Sequence, residues 1–392
     1  MLQAYKGMLR ACKEILRATP GTRNPLTRGA TAAGRAQKDR AGYAARVPPV
    51  AVLTPFGFPS VRGNAITAER VVAGLRERGL RVSAWDLSAT PEADVAAAVE
   101  ASRPVLVHAF HAYRSGPLAL RLARRLEVPL VVTLTGTDAN HELLDPQHAP
   151  VVRRVLEGAA AVTAFDASIG EHVAAVLPDL RARLVTVPQA VHFAGAEPFD
   201  LEARWRLPAD RLLFVLPAGI RPVKAPRRPL GPFDRVVAAE PRVRLLYVGP
   251  VLEAAEGEAL ARALGGRPWA RHLGPIAHGA IPSLLERADV VLNCSISEGG
   301  MANSVLEAMA LGRAVLAADI PGNRALVEPE VTGVLFSTDA ELEAGALRLA
   351  RDASLRARLG AAGRARVSER YPPEREIEGY LDVYRRLIPV RA

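Results

Sequence analysis

Two carboxylates and a small group of cations are the residues of this chain best suited to a charged, hydroxyl-bearing ligand. Glu298 and Glu307 lie in the stretch SEGGMANSVLEAMALG, Ser297–Gly312, with eight residues between them. Gly299 and Gly300 follow Glu298 directly and provide backbone that can come close to a ligand. Glu307 lies about one helical turn beyond Asn303. A carboxylate can accept two hydrogen bonds from a vicinal diol. Unpaired N–H groups at a helix start, with the positive end of the helix dipole, suit a phosphate. Together these features point to a phosphorylated ligand that also carries hydroxyls, such as a nucleotide sugar. An ordinary crossover helix with a solvated Glu298 and a capping Glu307 fits the same residues.

A second group lies in AGIRPVKAP, Ala218–Pro226, which carries Arg221 and Lys224. The chain has four lysines and three of them precede residue 47, so Lys224 is the single lysine among forty arginines in the remainder. A compact ammonium that reaches between phosphate oxygens is a reason to keep a lysine in so arginine-rich a sequence. The histidines show no HExxH or comparable spacing, and the two cysteines, Cys12 and Cys294, form no metal-type pair. No metal and no bound cofactor are expected. Two distant cysteines fit a reducing cytoplasmic compartment.

These groups need elements to hold them. ADVVLNCS precedes the glutamate stretch and RAVLAAD follows it, so strand, glycine turn, helix and strand form one parallel crossover unit. Open parallel sheets bind ligands along their carboxyl edge. The same alternation runs through the chain. VPPVAVLTPF, RVSAWDL, PVLVHAF, PLVVTLT, AAVTAF and RLVTVPQ read as strands of a first half. RLLFVLPAG, RVRLLYVG, RHLG, DVVLNCS, AVLAADI and TGVLF read as strands of a second, with helices between them. The join FAGAEPFDLEARWRLPADR holds no strand, and the last ~50 residues are helical in pattern. The loop after the first strand, FGFPSVRGNA, lacks Gly-x-Gly-x-x-Gly, which argues against a dinucleotide enzyme.

Length and charge agree with this division. A chain of 392 residues exceeds one ordinary core. Of the formal net charge of +10, residues 1–47 account for +8, with ten Lys or Arg against two acids. The body is therefore near neutral and offers no nucleic-acid surface. No apolar run approaches the ~18 residues of a membrane span. The expected division is a basic extension over 1–47, disordered or weakly helical, and domains over 48–205 and 206–370. A C-terminal helix over 371–392 would pack back on the first domain.

SEGGMANSVLEAMALG, followed by AVLAADIPGNRALVEPEVTGVLF, resembles the retaining glycosyltransferases of group 1. The likeness runs from about Pro49 onward and is strongest over Ala288–Phe336. It implies the GT-B fold, an α/β architecture of two facing Rossmann-like domains with parallel sheets, an interdomain cleft and C-terminal helices. It also implies transfer of a hexosyl group, with retention, from a nucleotide-sugar such as a UDP-sugar. Glu307 would then hold the ribose and Glu298 the donor sugar, although the family usually spaces these glutamates by seven residues. The amides of Met301, Ala302, Asn303 and Ser304 would face the diphosphate, with Gly299, Gly300, Gly63 and Asn64 also on the donor. Arg221 and Lys224 match in kind the basic pair that grips the diphosphate.

Many family members carry a histidine after the strand that here reads PLVVTLTGTDAN, where Thr135 takes its place. His108 and His111 end the preceding strand, and His108 is the expected catalytic imidazole. Arg62, His111, Arg114, Thr135 and Asp138 would line the acceptor side. Within the class, the loops RGNAITAER, HAYRSG, LTGTD and RPVK are similar to a subgroup that includes the glycosyltransferase-1-domain-containing proteins and the selenosugar synthases, which use selenophosphate. The acceptor is thus unidentified, with a small anion in view, and oligomeric state is not readable. An epimerase of the same fold and a non-catalytic sugar-nucleotide-binding protein are the alternatives.

Overall fold

A computed structural model describes residues 49–57, 63–191, 193 and 197–388. The extension over 1–47 and Arg62 lie outside these residues. Twelve strands form two six-stranded sheets, and every paired neighbour is parallel. The first sheet comprises β1 (Pro49–Thr54), β2 (Arg81–Asp86), β3 (Leu106–Phe110), β4 (Leu130–Thr133), β5 (Ala161–Ala164) and β6 (Leu184–Thr186). Its order is β2-β1-β3-β4-β5-β6. The second comprises β7 (Leu212–Pro217), β8 (Val243–Val248), β9 (Ala270–His272), β10 (Val290–Asn293), β11 (Ala314–Ala318) and β12 (Val334–Phe336), ordered β12-β11-β10-β7-β8-β9. In both sheets the order reverses beside the first strand of the half, which opens a crevice at the strands' carboxyl ends. These are the two parallel α/β halves expected from the alternation, in the GT-B arrangement that the resemblance implies.

Both faces of each sheet are covered, so the strands are apolar throughout rather than alternating. Successive side chains still divide between two cores. In β1, Ala51 and Leu53 join one cluster while Val50 and Val52 join the other. In β7, Leu212, Phe214 and Leu216 face one way and Leu213 and Val215 the other.

The helix Pro373–Leu387 leaves the second half and packs on the first sheet. Ile377, Tyr380, Leu381 and Tyr384 complete the cluster of Val50, Val52, Val71 and Leu75. Gly74 permits the approach, since a Cβ there would lie 2.4 Å from Ile377 Cδ1. Beside it Arg70 and Glu376 form a buried bidentate pair, Nε–Oε2 2.7 Å and Nη2–Oε1 2.8 Å. Two planar groups that match in geometry satisfy each other's hydrogen bonds where water cannot reach.

Candidate functional site

The carboxyl edges of the two sheets face one another across a single cleft. Lys224 and Arg221 arrive on the turn after β7, and Glu298 on the loop after β10. Lys224 Nζ sits 2.6 and 2.7 Å from the two Glu298 oxygens. Ser295 Oγ and Asn293 Nδ2 also donate to Glu298, at 2.6 and 3.2 Å. Burial pushes the Glu298 carboxyl up, but the Lys224 ammonium with Ser295 and Asn293 outweighs it and holds the group below its ordinary value. A carboxylate so engaged is a weak base and a well-fixed hydrogen-bond acceptor. Arg221 also lines the cleft, and its Nε is buried without a partner among the described residues.

The helix Asn303–Ala310 points its start into the cleft, where Met301, Asn303 and Ser304 line the wall. By position the amides of Asn303 and Ser304 have no intrahelical acceptor, while Val305 N donates to the Ala302 carbonyl at 3.1 Å. A longer helix, Gly63–Glu77, presents its own start from the opposite side. Gly63 and Asn64 line the cleft there, and a Cβ on Gly63 would stand 3.3 Å from Asn303 Nδ2. Two helix starts thus converge on one volume, and their dipoles add for an anion placed between them. Glu307 lines the same cleft further along its helix.

Four of the expected site residues are elsewhere. His108 lies in the interior of the first domain, with Nδ1 2.7 Å from Tyr384 Oη and Nε2 2.7 Å from Thr133 Oγ1. It stacks on Phe110, and burial pushes it down to about 3. It is a neutral structural imidazole. Asp138 is fully buried, and its carboxylate accepts the amides of Gly136 (2.7 Å), Ala112 (2.8 Å), Thr135 (3.0 Å) and Ala139 (3.2 Å). It shapes the loop beneath the cleft rather than lining it. Gly300, at φ +120°, turns the chain beside Phe165, and Ala302 joins the core of the second domain.

His111 is the imidazole that does reach the cleft, although its side chain is almost wholly buried. Its backbone has φ +82°, which is rare for a residue with a Cβ and places the ring at the sheet edge. Arg114 N donates to its Nδ1 at 3.3 Å, and Thr137 Oγ1 lies 3.0 Å from Nε2. Arg114 itself lines the cleft, with its guanidinium 5.6 Å from the centre of the Phe56 ring. Thr135 lines it as well, and accepts a bond of 3.4 Å from Asn64 Nδ2.

The two domains also touch directly beside Glu298. Asn140 Nδ2 donates to the Glu298 carbonyl at 2.7 Å, and His141 Nε2 is 3.0 Å from Ser297 Oγ. A Cβ on Gly299 would fall 2.0 Å from the Thr135 carbonyl oxygen, and one on Gly136 would fall 2.2 Å from Gly299 Cα. Gly299 thus lines the cleft on one side and packs against first-domain backbone on the side a Cβ would occupy. Asn140 and His141 had no motif to announce them, because each meets its partner only after folding.

Two family models match this chain. Glycosyl transferase 4-like domain covers residues 32–190 and Glycosyl transferases group 1 covers residues 200–366. Glycosyltransferase 1 domain-containing protein 1 of Xenopus tropicalis is 28% identical over 324 residues, which is 81% of this chain and 92% of that protein. A D-inositol 3-phosphate glycosyltransferase of Streptomyces bingchenggensis is 28% identical over 306 residues, 71% of this chain and 66% of that one. The structure of Anabaena Alr3699/HepE in complex with UDP-glucose superposes with a TM-score of 0.70 at 18% identity, over 86% of this chain and all but 1% of its own. Among the described residues no helix is long and apolar enough to cross a membrane. With both halves matched by glycosyltransferase models and the two facing parallel sheets in place, this chain belongs to the group 1 glycosyltransferases and has the GT-B fold.

Proposed function

We propose that this enzyme transfers a hexosyl group, with retention, from a UDP-sugar to a small anionic acceptor, of which selenophosphate is an example. The observation that carries the reading is the setting of Glu298 and Glu307. Both carboxylates open on one cleft that also holds Arg221, Lys224 and two helix starts. Glu307 is the group for ribose hydroxyls, Glu298 for hydroxyls of the donor sugar. Arg221, Lys224 and the amides of Asn303 and Ser304 stabilise the diphosphate as negative charge grows on it. Gly63 and Asn64 close the donor from the other domain. The low basicity of Glu298 suits it to orient the sugar rather than to take a proton.

The acceptor side supports the anionic class. Arg114 is the charged group there, among Thr135, Thr137, His111 and Asn140, and the acids lining the cleft are the two assigned to the donor. The Streptomyces relative is named for a phosphorylated acceptor, and the Anabaena protein binds UDP-glucose. We further propose domain limits of 48–205 and 206–370, with 371–392 returning to the first domain and 1–47 outside both.

The test is incubation with UDP-glucose and with UDP-N-acetylglucosamine, following UDP release with and without phosphate, selenophosphate and phosphorylated polyols. UDP release that depends on an anionic acceptor, with an α-linked product by NMR, is the expected result. Release only with neutral acceptors overturns the acceptor class, and an altered sugar nucleotide without acceptor points to an epimerase. A β-linked product overturns retention.

A further inference from the structure

Glu307 does not meet the cleft alone. His278 Nε2 lies 3.1 Å from Glu307 Oε1, and the two side chains are only 18% and 13% exposed. His278 opens the short turn His278–Ala280 between β9 and the helix Ile281–Leu285. That turn is held from behind by the segment joining the two domains. Glu197 N donates to the Gly279 carbonyl at 2.8 Å, and Phe199 N donates to Ser283 Oγ at 3.1 Å. The Glu197 side chain also packs against the Cα of Gly279, where a Cβ would lie 2.5 Å from its Oε1. The turn that carries the histidine is thus anchored to the interdomain segment.

We infer that His278 is a positioning residue that presets Glu307 for the ribose, an inference that rests on the proposed role of Glu307. In the neutral ring Nε2 carries the proton and donates to Oε1. A carboxylate has about four lone-pair sites, so one bond from His278 leaves enough for both hydroxyls of a vicinal diol. A glutamate otherwise brings rotamer freedom that a ligand must remove on binding. Holding the carboxylate in advance moves that loss from binding to folding, and affinity rises accordingly. A residue acting in this way affects ligand capture more than the step in which the sugar leaves.

The experiment compares UDP affinity by calorimetry, and donor KM and kcat, in full-length wild type, His278→Leu, His278→Gln, Glu307→Gln and the double variant His278→Leu/Glu307→Gln. His278→Leu should weaken UDP binding about 2- to 12-fold, as expected when binding must immobilise one rotamer-rich side chain that was held in advance. The effect should fall on KM rather than kcat. His278→Gln, whose side-chain amide reaches the Nε2 place, should recover most of the loss. In the Glu307→Gln background the leucine substitution should add less than about a twofold change. Unchanged UDP affinity in His278→Leu overturns the inference, as do equal losses in the Leu and Gln variants or an undiminished effect in the double variant. If His278→Leu does not fold, His278→Ala takes its place with the same outcomes. If Glu307→Gln alone binds UDP like wild type, the ribose reading itself fails and this inference falls with it; intact weakening by Glu307→Gln with a silent His278 rejects the positioning role only.

Discussion

Replacing Lys224 by alanine removes the cation from a pair that is nearly closed to solvent. The Lys224 side chain is 17% and the Glu298 side chain 10% exposed, and both contacts are at 2.6–2.7 Å. Without Lys224, the burial that opposes ionisation of Glu298 is countered only by Ser295 and Asn293. An uncompensated buried charge costs about 3–5 kcal/mol, or roughly 100- to 5,000-fold if all of it appears in the rate. Lys224 should also stabilise the departing diphosphate more than the bound one, so kcat should fall further than donor KM rises. Loss of the ammonium moves the Glu298 carboxyl upward, so its ionised fraction at a given pH declines. Residual activity in Lys224→Ala should therefore climb with pH across a range where wild type is level. Lys224→Arg should rescue only in part, because a planar fork does not sit where a compact ammonium does. Initial rates of UDP release from pH 5 to 9, with melting curves as a control for folding, provide the measurement. Near wild-type turnover in the alanine variant, or full rescue by arginine, refutes the reasoning.

Glu307→Gln should weaken UDP binding by about 1–3 kcal/mol by calorimetry, the scale of hydrogen bonds to a charged group; unchanged affinity in a folded variant rejects the ribose assignment. His108 is held near 3 in the folded chain against 6.5 for an ordinary imidazole. The unfolded chain therefore binds the extra proton between these values, and stability is lost as pH falls from about 6.5, by about 2 kcal/mol at pH 5. His108→Gln should flatten denaturant-measured stability over that interval, and an identical slope in both proteins rejects the buried neutral imidazole. A chain beginning at Pro48 should keep its melting temperature within about 3 °C and still bind donor; a larger fall shows that residues 1–47 are structural.

All twelve strands were legible, because short apolar runs such as PVLVHAF and DVVLNCS alternating with helical stretches have few other uses in a parallel α/β chain. The edge of the second sheet was legible for the same reason, and Glu298, Lys224 and Glu307 follow from it. The first-domain histidines were harder to separate. His108 and His111 both sit near the end of one strand, but His108 pairs in register with Val52 and Val131, while His111 lies just past the strand. The strand's period says that neighbouring side chains diverge, and not which face a returning helix will cover. Tyr384, which holds His108, is 276 residues away. Asp138 misled for a different reason, since a loop aspartate reads as exposed until the four amides it gathers are seen. Gly299 was legible as a close approach, but a single sequence does not say whether a ligand or another backbone makes it.

The returning helix Pro373–Leu387 bears on how the chain is made. β6 ends at Thr186 and the helix ends at Leu387, so about 200 residues separate the last strand of the first sheet from the element that covers one of its faces. At ribosomal speeds of about 5–20 residues per second, that face waits on the order of 10–40 s for its cover. During that time Val50, Val52, Val71 and Leu75 have no Tyr380 or Tyr384 against them. The first domain's strands can thus pair early, but one of its faces closes only after about 200 further residues have been made.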